Sequence, residues 1–272
     1  MPQFLQLDRS VDVAPDVLGK FMGIPVTNTL VTAMLVTVVV FVFGILFKQM
    51  LTLKPGVFQN AFEYLYEAMV DLNAQITGNK TLAEETTPLV TAVLVYIGLA
   101  NLIMFVPGLN GLTFNDQKLL RTPTSDLNLP LALAAGTMVF IHIRAVVASG
   151  VFNYIGRYLK MKELVDGFRK GFKDGMLALV EFFVGILDVI AELAKVISLS
   201  FRLFGNMFAG ELLAVLILSG FAYALPAVWM SLNLLFAVVQ ALVFGALVAS
   251  YYTLAVSPEG DPTEPEAGLK SS

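Results

Sequence analysis

The chain has no cysteine and a single histidine among its 272 residues. The first absence excludes disulfides, thiolate nucleophiles and thiolate metal sites. The second excludes a polyhistidine metal cluster, and no metal or cofactor is expected. Charge is scarce as well: Asp, Glu, Lys and Arg make up 14% of the chain, where soluble domains average about 25%. The N-terminus, Met1-Pro-Gln-Phe-Leu-Gln-Leu-Asp-Arg-Ser10, has no basic stretch leading into an apolar run, which argues against a signal or transit peptide. What fills the chain instead is apolar: 57% hydrophobic residues, with 21 Phe and 11 Met. This is the composition of a polytopic membrane protein surrounded by lipid. Nothing in it suggests a nucleic-acid partner. The net charge of -4 says little, because the charges concentrate in loops and tail.

In chain order, residues 1–25 are polar, broken by Pro15 and Pro25, and read as an exposed outer segment. Residues 26–256 read as a single membrane domain. Val26–Phe47 is apolar throughout, about 22 residues or about 33 Å, enough to span. Over 56–76, Phe58, Phe62, Leu65, Tyr66, Met69 and Leu72 share one face, while Glu63, Glu67 and Asp71 repeat on the other. That pattern predicts an amphipathic helix at an interface, with a soluble-facing packing helix as the alternative. Further spans are expected at 88–106, opened by Pro88, and at 127–147. Asp126 and Asn128 stand at the entrance of the latter, Asp126 as either a helix cap or a proton-path residue. His142, beside Arg144 near its far end, reads as interfacial and receives no ligand role.

The loop 151–175 carries Arg157, Lys160, Lys162, Arg169, Lys170 and Lys173. Basic loops stay cytoplasmic. With the N-terminus outside, four of the 17 basic residues fall outside, eleven inside or at the inner boundary, and two within the membrane region. Five crossings with a cytoplasmic C-terminus follow. The tail 257–272, with three prolines and four acids, is polar and reads as disordered.

Two stretches are too long to cross upright. Residues 176–219 hold a helical pattern without proline for about 44 residues, or about 66 Å, against a hydrocarbon core of about 30 Å. Either that helix breaks in two or it lies strongly slanted. Residues 226–256 are similarly long, and the short connection makes the two an antiparallel hairpin. The first long helix carries charge at lipid depth, where an Arg costs roughly 2.5–3.5 kcal/mol on insertion scales. At 100° per residue, Lys195 lies about 20° from Arg202, Asp188 and Asn206 about 40°, and Glu192 about 80°, whereas Glu211 lies about 180° away. Small Gly205 and Ala209 near Arg202 would admit another helix. On the second long helix Asn233, Gln240 and Tyr251 share a face.

Arg202 cannot be deprotonated in practice, so it is a fixed positive post. The spans supply few obvious carboxylates to pair with it, and one on another subunit fits better. Such a post can strip a proton from a carboxyl carried past it. Glu211 and Gln240 would line one aqueous path, and Asp188, Glu192, Ser198 and Asn206 the other. A secondary transporter is a competing class, though no internal repeat or pair of interrupted helices is visible. A passive assembly scaffold is a third.

The run Ser198-Leu-Ser-Phe-Arg-Leu-Phe-Gly-Asn-Met-Phe-Ala-Gly-Glu-Leu-Leu213 resembles the signature of subunit a of F-type ATP synthases. Pro123-Thr-Ser-Asp-Leu-Asn128 and Gln240 match secondary motifs of that family. The resemblance covers nearly the whole chain, most loosely before residue 80 and after 256. It implies an all-α membrane protein of five crossings plus one amphipathic helix, its last two helices a slanted hairpin against a rotating ring of c subunits. It also implies b-type stalk partners, a bacterial inner membrane, and a non-enzymatic, proton-conducting role in ATP synthesis, with a sodium version as the variant. Arg202 would be the stator arginine facing the ring carboxylate. Asn206, Glu211 and Gln240 would be half-channel residues, with Asp188 on the cytoplasmic path. Asn233 stands where some members have a His paired with the residue at 211, so the outer path through Glu211, Gln240, Asn233, Asp126 and Asn128 lacks that titratable partner.

Overall fold

The computed structural model describes residues 14–106, 109, 112–114, 117–158, 160, 169, 171–220 and 224–256. The first thirteen residues of the expected outer segment, the tail 257–272 and much of the basic loop lie outside that set. Seven helices account for most of the rest: α1 (Asn28–Met50), α2 (Val57–Thr77), α3 (Lys80–Leu102), α4 (Asn128–Ser149), α5 (Val151–Tyr158), α6 (Phe172–Gly220) and α7 (Ala224–Val256). Two short hairpins, which the sequence reading did not foresee, join them. β1 (Val17–Phe21) pairs antiparallel with β2 (Ile24–Thr27), and β3 (Thr113–Phe114) with β4 (Gln117–Lys118). Met22 and Gly23 turn the first hairpin with φ of 51° and 86°, the positive pair that matches strand twist in a two-residue loop.

α1 starts where the Thr27 hydroxyl accepts the Leu30 N–H. Most of its circumference is exposed apolar surface, Met34 and Phe41 among it, as a lipid-facing span requires. α2 folds back beneath it, and Phe58 and Phe62 pack on Phe43 and Phe47 with ring centroids 4.9–6.4 Å apart. Gly78, in the left-handed region at φ 66°, ends α2 and donates its N–H to the Ala74 carbonyl, as a glycine stop does.

α3 corrects the expected 88–106 span. It begins at Lys80, capped by the Asn79 side chain, which accepts from the Thr81 and Leu82 amides at 2.9 and 3.4 Å. It then runs through Pro88 to Leu102. Proline removes one ladder donor, and Pro88 is exposed, so the interruption is not set in the packed core. Thr86 and Thr87 on the buried side return their hydroxyls to carbonyls of the preceding turn.

The core joins four helices: Val90, Val93 and Ile97 of α3, Ala134, Met138 and Ile141 of α4, Leu199 and Leu203 of α6, and Phe244, Val248 and Tyr252 of α7. α3 and α7 share the most extensive contact, and a Cβ on Gly245 would lie 3.1 Å from Val90 Cγ1. α6 is one unbroken helix of 49 residues, about 73 Å long, which decides against a break in that stretch. α7 adds 33 residues. Four helical segments, Asn28–Met50, Lys80–Leu102, Asn128–Ser149 and Val228–Val256, are long and apolar enough to cross a membrane. The protein is therefore an all-helical integral membrane protein apart from its hairpins.

Candidate functional site

α6 presents two faces, set by which side chains the core takes. Leu199, Leu203 and Met207, at four-residue spacing, are buried, and Ser200 between them donates to the Val196 carbonyl at 2.7 Å. The helix is held by that face, so Arg202 lies outside it. Arg202 is exposed and makes no hydrogen bond or ion pair among the described residues. Its neighbours on the same face are small or polar: Ser198, Gly205 and Ala209, all exposed. Asn206, one turn on, is half-buried, and Ser198 and Asp188 are exposed. A fixed cation thus stands on an exposed face of small and polar side chains, with no carboxylate paired to it among the described residues.

Glu211 points elsewhere. Its Oε2 lies 3.4 Å from Nε of Arg121, with both side chains largely buried. Arg121 also donates its backbone N–H to Thr32 Oγ1 at 3.2 Å and Nη1 to the Ala14 carbonyl at 3.3 Å. The partner of Glu211 in this structure is thus a guanidinium from the loop before α4, a fixed cation that does not titrate. Asn233 does not replace it. It packs against Gly210, where a Cβ would meet Asn233 Oδ1 at 2.5 Å. Trp229 Nε1 donates to the Gly210 carbonyl at 3.2 Å, so this turn of α6 is gripped by α7 on one side and by the Arg121 loop on another.

Asp126 is buried and accepts three bonds. Thr29 Oγ1 of α1 donates at 2.9 Å, Asn128 N–H at 3.1 Å and Asn128 Nδ2 at 3.0 Å. The N-cap of α4 is Leu127, with no side-chain cap bond, so Asp126 closes a turn just ahead of the helix and ties it to α1, and among the described residues it has no direct link to Glu211. Nearby, the Thr124 hydroxyl donates to Asn101 Oδ1. Gln240 is buried, and its Nε2 has no partner among the described residues; the same holds for Asn101 Nδ2 and Thr91 Oγ1. Buried donors are ordinarily satisfied, by water where protein does not reach.

At the other end of the bundle Glu192 binds Lys195 Nζ at 2.7 Å and faces His142 Nε2 at 3.9 Å. Arg144, Glu85 and Tyr252 form a second polar knot, with Arg144–Glu85 at 3.2 Å and Tyr252–Glu85 at 3.0 Å. Among the described residues no group of three or more Asp, Glu or His side chains converges as a metal would need.

Sequence reasoning missed Arg121 and His142. In the sequence Arg121 reads only as a loop charge, two residues ahead of the Pro123–Asn128 motif that enters α4. His142 was set aside as interfacial.

The family model of the ATP synthase A chain matches residues 29–253. The chain is 30% identical over 216 residues to ATP synthase subunit a of Desulforamulus reducens, covering 76% of this chain and 71% of the relative. It is 29% identical over 257 residues to ATP synthase subunit a of Acidothermus cellulolyticus, covering 92% and 84%. With ATP synthase subunit a of Campylobacter concisus it shares 29% over 225 residues, 82% and 87% of the two chains.

Proposed function

This chain belongs to the ATP synthase A chain family, and we propose that it is the stator of the membrane sector, passing protons to and from carboxylates on a rotating c ring. One observation carries the reading: Arg202 is an exposed cation at mid-helix, flanked by the small Gly205 and Ala209, with no partner among the described residues of its own chain. A charge in that position has to be met from outside the chain.

Five crossings, α1, α3, α4, α6 and α7, put the N-terminus outside and the basic loop after α5 in the cytoplasm. α6, at 49 residues, has to slant strongly to stay within a bilayer about 30 Å thick. A slanted helix presents a long flank to a ring, and a b-type stalk would hold this subunit still against rotation.

The mechanism follows from charge. At about 4 Å and an effective dielectric of about 20, Arg202 attracts a carboxylate by about 4 kcal/mol. That favours release of the proton from a ring carboxyl as it arrives. One charge moved through 100 mV is worth about 2.3 kcal/mol, so a few ions per step can pull the carboxylate onward. A protonated carboxyl can then cross the lipid-facing arc. Direction requires that protons arrive and leave on opposite flanks of the arginine.

On the outer flank the path runs by Glu211, Gln240, Asn233, Asp126 and Asn128. The unpartnered buried donors of Gln240 and Asn101 supply places where water can bond. On the inner flank it runs by Asn206, Ser198, Glu192 and Asp188. The ring brings the ion-binding carboxylate, and the chain itself catalyses no ATP chemistry.

The test is Arg202→Ala in the assembled complex, reconstituted into vesicles. ATP-driven pumping should vanish while the complex still assembles. Pumping that survives overturns the reading, and loss of assembly would favour a scaffold.

A further inference from the structure

The chain's one histidine stands where α4, α5 and α6 meet, and it is addressed at both ring nitrogens. His142 is half-buried on α4. Its Nδ1 lies 2.6 Å from the Tyr154 hydroxyl of α5, and its Nε2 lies 3.9 Å from Glu192 Oε2 of α6. The other Glu192 oxygen accepts from Lys195 Nζ at 2.7 Å, and that ammonium sits 5.1 Å from the centroid of the Tyr251 ring of α7. Tyr154 also touches the Tyr158 hydroxyl at 3.3 Å. The nearest other charge on α4 is Arg144, engaged with Glu85 of α3 and Tyr252 of α7.

A packing histidine needs one hydrogen bond to settle its ring. Here Tyr154 settles it, and the second nitrogen faces an acid. The separation of 3.9 Å is too long for a direct bond and short enough for a small shift, or a water, to close. Imidazole is the side chain whose ordinary charge change falls between about pH 5 and 8. Burial, and then the bond to Tyr154, holds the Tyr158 phenol above its usual range, so the end of the tyrosine pair stays neutral and orients the ring without competing for charge.

We propose that His142 is the proton-exchange group at the inner mouth of the conduction path; this rests on the inner path proposed above. For a departing proton, the O–H bond of the protonated Glu192 carboxyl breaks and an N–H bond forms at His142 Nε2. A carboxylate is left between the imidazolium and the Lys195 ammonium. The imidazolium then gives its Nε2 proton to water, and the hydronium leaves to the inner aqueous side. Uptake is the reverse.

The experiment measures passive conduction and ATP-driven pumping in vesicles holding the complete complex, against the pH of the inner side. The wild-type rate should depend on the pH of the inner side, and that dependence should be lost in His142→Gln. In His142→Ala it should be lost and then restored by added imidazole, which a purely structural role would not allow. An unchanged profile in His142→Gln overturns the proposal. If neither variant assembles, Tyr154→Phe, which removes one hydroxyl, must displace the midpoint, and an undisplaced midpoint overturns it. Arg202→Ala separates the two readings. If it stops pumping while His142→Gln keeps its profile, the histidine alone is refuted. If it pumps, the path is refuted with it.

Discussion

Arg121 and Glu211 lie 90 residues apart in the chain and meet at 3.4 Å. The pair ties the loop entering α4 to the turn of α6 that begins two turns beyond Arg202. Each member is largely shielded from water, so neither can be lost without leaving the other charge poorly solvated.

A double-substitution cycle measures that coupling. Arg121→Ala alone should destabilise the subunit by roughly 1–3 kcal/mol, between the values for exposed and fully buried pairs. Arg121→Ala made in a Glu211→Gln background should cost less, with a coupling of about 0.5–3 kcal/mol. Thermal unfolding of the detergent-solubilised complex reads it, and strict additivity would show that the pair does not interact. Glu211→Gln should in addition slow proton conduction in vesicles.

Gly210 and Asn233 set a second test. A methyl group at Gly210 would reach 2.5 Å from Asn233 Oδ1, closer than atoms pack, though the obstacle is the end of a side chain. Gly210→Ala should therefore slow conduction and lower the melting temperature, and Asn233→Ala in the same chain should recover most of the loss. Failure of that recovery would mean the crowding lies elsewhere.

Gly185 offers no such remedy. A Cβ there would lie 2.0 Å from the Tyr158 carbonyl oxygen, and backbone cannot swing aside. Gly185→Ala should separate α5 from α6 and cost roughly 1–3 kcal/mol, the range for overpacking. Limited proteolysis between α5 and α6 should quicken with it. A variant as stable and as resistant as the parent would refute the close approach.

Tyr158 makes stability depend on alkali. Its folded phenol is held above the ordinary 10.0 by burial first and by the Tyr154 bond second. The unfolded chain therefore loses this proton at lower pH than the folded one does. The contribution is fully present below pH 10.0 and declines as pH rises above it. Tyr158→Phe should flatten the alkaline limb of the stability curve and leave the neutral region alone. A limb of unchanged slope would contradict the assignment.

Much of this molecule is legible along the chain because the causes are local. The largely apolar run after Val26 appears as α1, and the alternation of Phe58, Phe62 and Leu65 with Glu63 and Glu67 appears as α2. Pro88 misled the reading of α3. A proline is a natural helix start, but here Asn79 caps earlier and the ring lies on an exposed side. The β1–β2 hairpin, Val17–Thr27, has only Lys20 and Thr27 as polar side chains, so it shows no apolar–polar alternation.

The polar stripe of α6 shows how far sequence reaches and where it stops. A helical period of 3.6 residues is enough to put Arg202 and Glu211 on opposite faces, and the run from Ser198 to Leu213 is enough to identify the family. Periodicity orders residues around one helix; it carries no information about which side chain of another helix stands opposite. The pairing of Glu211 with Arg121, the bond from Thr29 to Asp126, and the seat of His142 between Tyr154 and Glu192 are each decided by packing. They depend on how α3, α4, α6 and α7 pack around Met138, Ile141, Leu199 and Leu203 and on how α1 and α5 lie against that bundle, and that arrangement exists only in three dimensions.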